Sequence, residues 1–215
     1  MVKLLESRLK PKLDRYLIEN LNPGQTGFIA GLGISVSQFR LMQQVGRITD
    51  MNKHCYAIFV DFSSAYNTIL HSRLYKRLEK VLKTDEVELL KAIYSRCKIK
   101  LGDESFAPNI GVAQGSVISP SLFNIYCDEL YHELSDGLNI DVERVLGYAD
   151  LCVLCSTPME LRRVIKKIKE WSLENNLLLN EKKSGILEIT PRMGVQKCFL
   201  KQGELFERIP VVSGL

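Results

Sequence analysis

Two aspartates stand at the ends of short apolar runs, where they could bind a divalent cation. Asp61 lies near the end of the run YAIFVDF (residues 56–62), and Asp150 lies between two apolar runs, at the predicted turn of a β-hairpin. A carboxylate between buried strands is costly unless a cation meets it. Two converging carboxylates would form the oxygen site that Mg²⁺ prefers, and such a site can support two-metal phosphoryl transfer. Considered singly, each aspartate is also an ordinary residue for a strand end or a turn.

A third stretch combines a flexible loop with the start of a helix. Gln114, Gly115 and Ser116 come directly before a predicted helix, for which Ser119 is the expected N-cap and Pro120 the first residue. Gly115 would let the backbone approach a flat ligand closely, and the amide of Gln114 can both donate and accept hydrogen bonds. The loop is therefore a candidate surface for a planar group of a substrate.

The elements that must position these residues alternate between helices and short strands. The hydrophobic periodicity predicts helices over residues 35–48, 66–82, 85–94, 119–134 and 158–171. Strands are predicted at residues 56–62, on both sides of Asp150, and near residues 185–190, 198–200 and 205–212. This order predicts an α+β fold in which an antiparallel sheet carries helices packed on one face. A doubly wound parallel sheet is disfavoured because no glycine-rich phosphate loop follows a strand.

The composition is that of an ordinary globular domain, or of a domain with an additional lobe. The chain has 215 residues, 46% of them hydrophobic, and a net charge of +4, which is compatible with a nucleic-acid partner but does not establish one. No apolar run reaches the length of a membrane span, and the N-terminus lacks a secretory signal, so an intracellular protein is expected. Cys152 and Cys155 form the only close cysteine pair, and on one strand they would face opposite sides, which favours reduced buried thiols.

Five segments, taken in order, resemble the characteristic motifs of reverse transcriptases, most closely those of non-LTR retrotransposons and group II introns. They are NPGQTGF (22–28), AIFVDFSSAYNTILHSRLYKRL (57–78), GVAQGSVISPSLFNIYCDEL (111–130), LGYADLCVL (146–154) and WSLENNLLLNEKKSGIL (171–187). The resemblance extends in family order and spacing from about residue 21 to about residue 212. A single motif would be weak evidence, whereas five in register make the resemblance specific.

The resemblance implies the fingers and palm of a right-hand polymerase, acting in RNA-templated DNA synthesis. It assigns residues 1–50 to partial fingers, 51–195 to the palm and 196–215 to primer-grip-like strands, with the chain ending before a thumb. It implies Mg²⁺ as the cofactor. The implied partners are an RNA template with a DNA primer, or a structural RNA, together with other proteins in a larger assembly and no membrane.

The resemblance also implies roles for individual residues. Asp61 and Asp150 would be catalytic and would bind the metal ions. The substrate contacts would be the Phe62 carbonyl at the metals, Tyr66 as the gate under the incoming sugar, Gln114 and Gly115 against the incoming base pair, and Lys183 near the triphosphate. The plain alternatives are a buried tyrosine with a satisfied hydroxyl, a turn glutamine and a surface lysine.

Four departures from the family pattern predict that polymerase activity is reduced or lost. The family's catalytic turn has two adjacent aspartates, whereas here the second position is Leu151, giving YADL. Residues 29–35 lack the arginine that usually follows the Gln-x-Gly-Phe element, Asn67 replaces a further aspartate, and no thumb follows residue 215. Leu151 is expected in an otherwise open cleft. A leucine there would remove the repulsion between neighbouring carboxylates, which serves no purpose when no metal ion is bound.

Two functions of different classes therefore remain open. The first is an RNA-directed DNA polymerase domain made of fingers and palm. The second is a non-catalytic module, similar to a reverse transcriptase, that binds RNA or protein within a larger assembly. An RNA-dependent RNA polymerase would share the palm, but Tyr66 as a sugar gate disfavours it.

Overall fold

A central antiparallel sheet organises the chain. The computed structural model describes residues 2–97, 99–101, 104–148, 150–190 and 194–198. Within these ranges the helices are α1 (Val2–Asn20), α2 (Ile34–Asp50), α3 (Ala65–Thr68), α4 (His71–Leu78), α5 (Thr84–Arg96), α6 (Ser119–His132) and α7 (Pro158–Glu174). The strands are β1 (Cys55–Val60), β2 (Ile99–Leu101), β3 (Glu104–Phe106), β4 (Val145–Gly147), β5 (Leu151–Cys155), β6 (Gly185–Thr190) and β7 (Gly194–Cys198).

The main sheet has the strand order β4-β5-β1-β6-β7, and every neighbouring pair is antiparallel. The strands β2 and β3 form a separate antiparallel pair. Because β1 is central, its C-terminal end lies between the start of β5 and the start of β6. The predicted α+β class and the antiparallel sheet are confirmed.

One face of the sheet is buried in the large hydrophobic core. Alternate residues of a strand point to the same face, and Ile58, Val60, Leu151 and Val153 present their side chains to this core. The helices α4, α6 and α7 pack on this face through Leu74, Leu78, Leu122, Tyr126, Leu130, Leu161, Ile165, Ile168 and Trp171, and α1 and α5 also contribute to the same core. This packing is the predicted layer of helices on one face, and it holds the strand ends in fixed positions.

The opposite face carries a smaller cluster that α2 partly covers. Its buried members are Cys55, Ala57, Leu146, Cys152, Leu154 and Ile189, and Leu41, Val45 and Ile48 of α2 pack against them. The structure therefore places one helix on the second face as well. The helical pattern of residues 35–48 predicted the helix but gave no indication of the face on which it lies.

The prediction of one continuous helix over residues 66–82 is wrong, because this segment forms two separate helices. It is divided into α3 and α4 at Ile69 and Leu70, whose backbones are extended. Leu70 forms an isolated antiparallel bridge with Ile110, and the carbonyl of Ile69 accepts a hydrogen bond from the N–H of Gly111. Pairing with a distant segment therefore overrides the local helical periodicity at these two residues.

The starts of α7 and α6 differ in how they are capped. Thr157 caps α7 by accepting a hydrogen bond from the Glu160 N–H. Ser119, predicted as the N-cap of α6, is instead the first helical residue, and its hydroxyl donates to the Ala113 carbonyl at 2.7 Å. The Ser119 hydroxyl therefore fixes the preceding loop.

Several further predictions concern thiols, membranes and the end of the chain. Cys152 and Cys155 are free and buried in clusters on opposite faces of the sheet, and burial raises the pKa of Cys152 to about 12. Among the described residues, no helix is long and apolar enough to cross a membrane. The predicted strand over residues 205–212 lies outside the described residues, and the boundaries at 50 and 195 stay predictions.

Candidate active site

Asp61 directly follows β1 and is held by the turn that precedes β6. Its carbonyl accepts a hydrogen bond from the Asn180 N–H at 2.8 Å, and its own N–H donates to the Ser184 hydroxyl at 3.1 Å. The side-chain amide of Asn180 also donates to the Asp61 carboxylate, with 2.7 Å between Nδ2 and Oδ2. These contacts fix both the backbone and the carboxylate of Asp61.

Asp150 lies beside Asp61, at the turn between β4 and β5. In the pairing of β1 with β5, Val60 lies opposite Leu151, so the residue that follows β1 meets the residue that precedes β5. Partial burial raises the pKa of the Asp150 carboxyl, and the negative charge of Asp61 and a hydrogen bond with it raise that pKa further. The ammonium of Lys183 acts in the opposite direction. The structure thus brings the two predicted metal ligands together.

Leu151 faces the other side of the sheet from the carboxylates. Asp150 is an exposed residue, whereas Leu151 is only 2% exposed and belongs to the large core together with Val60 and Val153. The expectation that Leu151 stands in an open cleft is therefore wrong. Leu151 is the first residue of β5 and shares a face of that strand with Val153 and Cys155, so its side chain enters the core.

The charges at the site come from two acids and one nearby lysine. Among the residues that the structure describes, no group of three or more His, Cys, Asp and Glu side chains is placed to hold a metal ion. Lys183 Nζ lies 3.9 Å from Asp61 Oδ2, although the lysine side chain is 73% exposed. An ion pair so open to water contributes little stability. Lys183 therefore lies near Asp61 with a largely exposed side chain, and its predicted position near a triphosphate stays a prediction.

Tyr66 and Phe62 follow Asp61 on the core side of the site. Tyr66 lies in α3, and its ring packs against Phe123 of α6 with 5.2 Å between the ring centroids. Burial raises the pKa of the Tyr66 hydroxyl. Phe62 is half-buried against the large core and forms an isolated antiparallel bridge with Leu179. Both backbones are therefore anchored close to the carboxylates.

The segment that contains Tyr66 is joined by hydrogen bonds to the segment before the 114–116 loop. The Val112 N–H donates to the Tyr66 carbonyl at 2.7 Å, and the Gly111 N–H donates to the Ile69 carbonyl at 2.7 Å. We call this pair of segments, residues 66–71 and 109–112, the two-segment ribbon. Farther along it, the His71 N–H donates to the Asn109 carbonyl at 3.2 Å.

The loop beyond the ribbon carries Gln114 and Gly115 in exposed positions. The Gln114 amide donates to Asn67 Oδ1 at 3.3 Å, so one residue of the predicted substrate loop contacts a position at which the chain departs from the family. Gly115 has a φ of +80°, and the space where a Cβ would stand is open. The left-handed backbone explains why glycine is suited to this position.

Two residues that orient Asp61, Asn180 and Ser184, were not predicted as site residues. Both lie in the Leu-Asn-x-x-Lys-Ser turn, from which only Lys183 was selected. A turn that combines Asn and Ser with a following strand was the available signal, because such side chains commonly bond to nearby backbone. Their bonds to Asp61, however, span more than 110 positions and depend on the pairing of β1 with β6.

Three features together define a polymerase palm. A central strand ends in an acid, a neighbouring hairpin carries a second acid, and a layer of helices packs behind them. The family whose description is Reverse transcriptase (RNA-dependent DNA polymerase) matches residues 1–199. The chain therefore belongs to the reverse transcriptase family, as the five sequence motifs predicted.

Known relatives are proteins of mobile elements. The chain is 24% identical over 209 residues to a probable RNA-directed DNA polymerase from transposon BS of Drosophila melanogaster, covering 92% of this chain and 22% of that protein. It is 26% identical to a retrovirus-related Pol polyprotein from the type-2 retrotransposable element R2DM of the same species, covering 96% of this chain and 20% of that protein. The chain thus spans about a fifth of the length of these relatives.

Solved structures with the same fold include telomerases. Telomerase from Candida albicans, in complex with a TWJ fragment of telomeric RNA, superposes with a TM-score of 0.68 at 11% identity, over 92% of this chain and 38% of that one. Apo telomerase from Candida tropicalis, truncated from the C-terminal domain, gives 0.66 at 16% identity, over 92% and 45%. At these identities the likeness shows the fold alone, which includes the predicted fingers and palm.

Proposed function

We propose that this reverse transcriptase domain retains a two-carboxylate site for RNA-templated DNA synthesis and works at a greatly reduced rate. The convergence of Asp61 and Asp150, with Leu151 turned into the core, carries this proposal. Leucine supplies neither a metal ligand nor charge at the site. Loss of one well-placed electrostatic group typically costs about two to three orders of magnitude in rate.

The pair of acids suits Mg²⁺. Asp61 and Asp150 lie close enough for each negative charge to oppose the other, as the raised pKa of Asp150 indicates, and a divalent cation would relieve that repulsion. Asp61 and Asp150 would hold the cation, with the Phe62 carbonyl as a further oxygen donor. When bound, Mg²⁺ would activate the attacking hydroxyl and stabilise charge on the phosphoryl group.

The remaining residues would bind and orient the nucleotide. Tyr66, held by Phe123, would lie under the sugar and exclude a 2′-hydroxyl. Gln114 and Gly115, which stand exposed beyond the ribbon, would contact the base pair. Lys183, whose side chain is largely exposed beside Asp61, would turn towards a triphosphate, where its ammonium would offset the negative charge.

An RNA template and a DNA primer are the partners that this function requires. The net charge of +4 favours a polyanionic partner, and the fold is shared with a telomerase whose structure contains telomeric RNA. Because the relatives are much longer than this chain, additional protein partners in a larger assembly are part of the same proposal.

A non-catalytic role is the second candidate, and the burial of Leu151 favours it. Leu151 is buried in the large core, where its apolar side chain stabilises the fold. This chain therefore has a packing residue where the family pattern has a second acid. A domain that only has to bind RNA or protein would tolerate this exchange.

Primer extension on an RNA template distinguishes the two candidates. The wild type is compared with Asp61→Ala, Asp150→Ala and the control Asp50→Ala, which changes an exposed acid at the end of α2. Slow extension that requires Mg²⁺ and is abolished only in the two site variants supports the catalytic proposal. Extension at ordinary polymerase rates contradicts the reduced rate, and a complete lack of extension, with salt-sensitive RNA binding, supports the non-catalytic module.

A further inference from the structure

The turn that carries Asp150 is held by residues 24–28, which we call the strap. Gln25 forms a parallel bridge with Gly147, the last residue of β4. The Thr26 N–H donates to the Gly147 carbonyl at 2.8 Å, and the Gly147 N–H donates to the Gly24 carbonyl at 2.9 Å. The Thr26 hydroxyl donates to the same Gly147 carbonyl at 3.0 Å. The strap thus lies along β4 as an additional edge segment.

Contact between the strap and the turn is too close for a side chain at position 27. A Cβ on Gly27 would lie 1.5 Å from the Tyr148 carbonyl oxygen. The next strap residue, Phe28, stacks on the Tyr148 ring with 5.9 Å between centroids. Phe28 also has a φ of 57°, a conformation that is unfavourable for a bulky side chain and persists only where neighbours enforce it.

The strap is itself anchored to α6. Thr26 is completely buried and Gln25 is 4% exposed. The Asn124 side-chain amide donates to the Gly27 carbonyl at 2.6 Å, and the Gln25 amide donates to Asn124 Oδ1 at 3.4 Å. The strap therefore connects the catalytic turn to a core helix, and the position of the turn is determined by more than the β4-β5 hairpin.

We infer that the strap positions Asp150, with Thr26 as the main positioning residue. The inference rests on the proposed catalytic role of Asp150 and concerns how that carboxylate is held opposite Asp61. Gly147 lies three residues before Asp150, and two of the hydrogen bonds on its carbonyl come from Thr26. Catalytic groups must be held within about 0.5 Å of the productive geometry, so a loosened turn would misplace the acid.

Amide hydrogen exchange, followed by NMR, tests the inference without metal or substrate. The reporter is the Tyr148 N–H, which donates to the Asp150 carbonyl at 3.3 Å and to no strap residue. Thr26→Val removes the hydroxyl and keeps the shape, and Thr26→Ser is the matched conservative variant. We expect exchange at Tyr148 to accelerate about tenfold in Thr26→Val, because the contacts of the Thr26 hydroxyl with the Gly147 carbonyl and the Ser37 hydroxyl are lost, and to be restored in Thr26→Ser.

A reference amide separates positioning from general stability. The Leu161 N–H, which donates to the Thr157 carbonyl at the start of α7, should be unaffected. Unchanged exchange at Tyr148, or equal acceleration at Tyr148 and Leu161, would overturn the inference. If Thr26→Val does not fold, Phe28→Ala replaces it, because it removes only the half-exposed stacking ring. Primer extension by the wild type decides the proposed function separately.

Discussion

The side-chain amide of Asn180 donates a hydrogen bond to the carboxylate of Asp61 across 2.7 Å. Among the described residues, the cation paired with Asp61 is Lys183, which lies farther away at 3.9 Å and is largely exposed. A neutral donor thus orients the acid without neutralising it. Under the proposed function, the acid would hold a metal ion, and Asn180 would fix the orientation of that acid.

Replacing Asn180 should weaken metal binding. Groups that orient a metal ligand typically contribute about 10–100-fold in affinity, so we expect Asn180→Ala to weaken Mn²⁺ binding by about tenfold or more. Electron paramagnetic resonance of free Mn²⁺ measures the change. Asn20→Ala, which alters an exposed asparagine at the end of α1, is the control. Equal affinities of wild type and Asn180→Ala would show that the hydrogen bond does not support the site.

The pKa of Asp150 predicts how stability depends on pH in the absence of metal. Because the folded state raises this pKa, the folded state binds the proton more tightly than the unfolded state does. The free energy of unfolding should therefore fall as pH rises from the ordinary carboxyl pKa through the raised value. Asp150→Asn should remove this loss, and should be more stable than the wild type at neutral pH but not at pH 3.

Urea unfolding from pH 3 to pH 7.5, in the presence of EDTA, measures this difference. Asp50→Asn, at the opposite end of β1 from the site, is the control and should follow the wild type throughout. Added Mg²⁺ should stabilise the wild type and leave Asp150→Asn almost unchanged, since a bound ligand stabilises the folded state. A variant whose pH profile parallels that of the wild type would contradict the prediction.

Restoring an aspartate at position 151 should destabilise the domain. Leu151 is 2% exposed in the large core, so Leu151→Asp loses apolar burial and places a carboxyl in that core. We expect a loss of about 3–5 kcal/mol in the free energy of unfolding. Leu151→Met, which conserves volume, should lose less than about 1.5 kcal/mol. If Leu151→Asp is as stable as the wild type, the turn can rearrange to expose the new carboxylate, and its extension activity can be compared directly.

Arg77 should tolerate neither loss nor conservative exchange. Its guanidinium lies 4.4 Å from the centre of the Tyr126 ring. It also donates hydrogen bonds to Asn175 Oδ1 at 2.8 Å and to the Tyr126 carbonyl. These contacts connect α4 with α6 and with the end of α7. Lysine cannot reproduce this planar set of donors, so Arg77→Lys should cost about 1–3 kcal/mol in unfolding free energy. The exposed Lys80→Arg should stay within about 0.5 kcal/mol. Equal denaturation midpoints for the two variants would refute the role of the guanidinium.

The sequence predicted the features that depend on local patterning. The apolar runs in the sequence indicated the positions of β1 and β5. Asp61 directly follows β1 and Asp150 directly precedes β5, so the ends of these runs also indicated the two acids. The direction of Leu151 follows from the alternation of residues along β5, whereas the family's pair of acids indicates only that a charge is missing at this position. The packing of α2 on the second face of the sheet, and the break in the helical pattern at Ile69, depend on contacts between distant segments.

The same limit applies to the residues that support the site. The turn composition around Asn180 indicates a side chain that bonds to nearby backbone but not which residue it contacts, and Thr26 lies in a glycine-rich loop with no local signal of its role. Their partners, Asp61 and Gly147, become visible only once β1 pairs with β6 and the strap lies beside β4. Roles created by long-range pairing are therefore the part of the site that periodicity and motif spacing leave out.

The two-segment ribbon has a consequence for how this domain would select nucleotides. Tyr66 is proposed to select the sugar, and the loop that carries Gln114 is proposed to contact the base pair. The ribbon joins these two parts through backbone hydrogen bonds, and Asn67 contacts Gln114 directly. A displacement of either segment moves the other. A mutation in either segment should therefore raise two error rates together, the rate of ribonucleotide incorporation and the rate of base mispairing. Selection for one of these two kinds of accuracy would then also change the other.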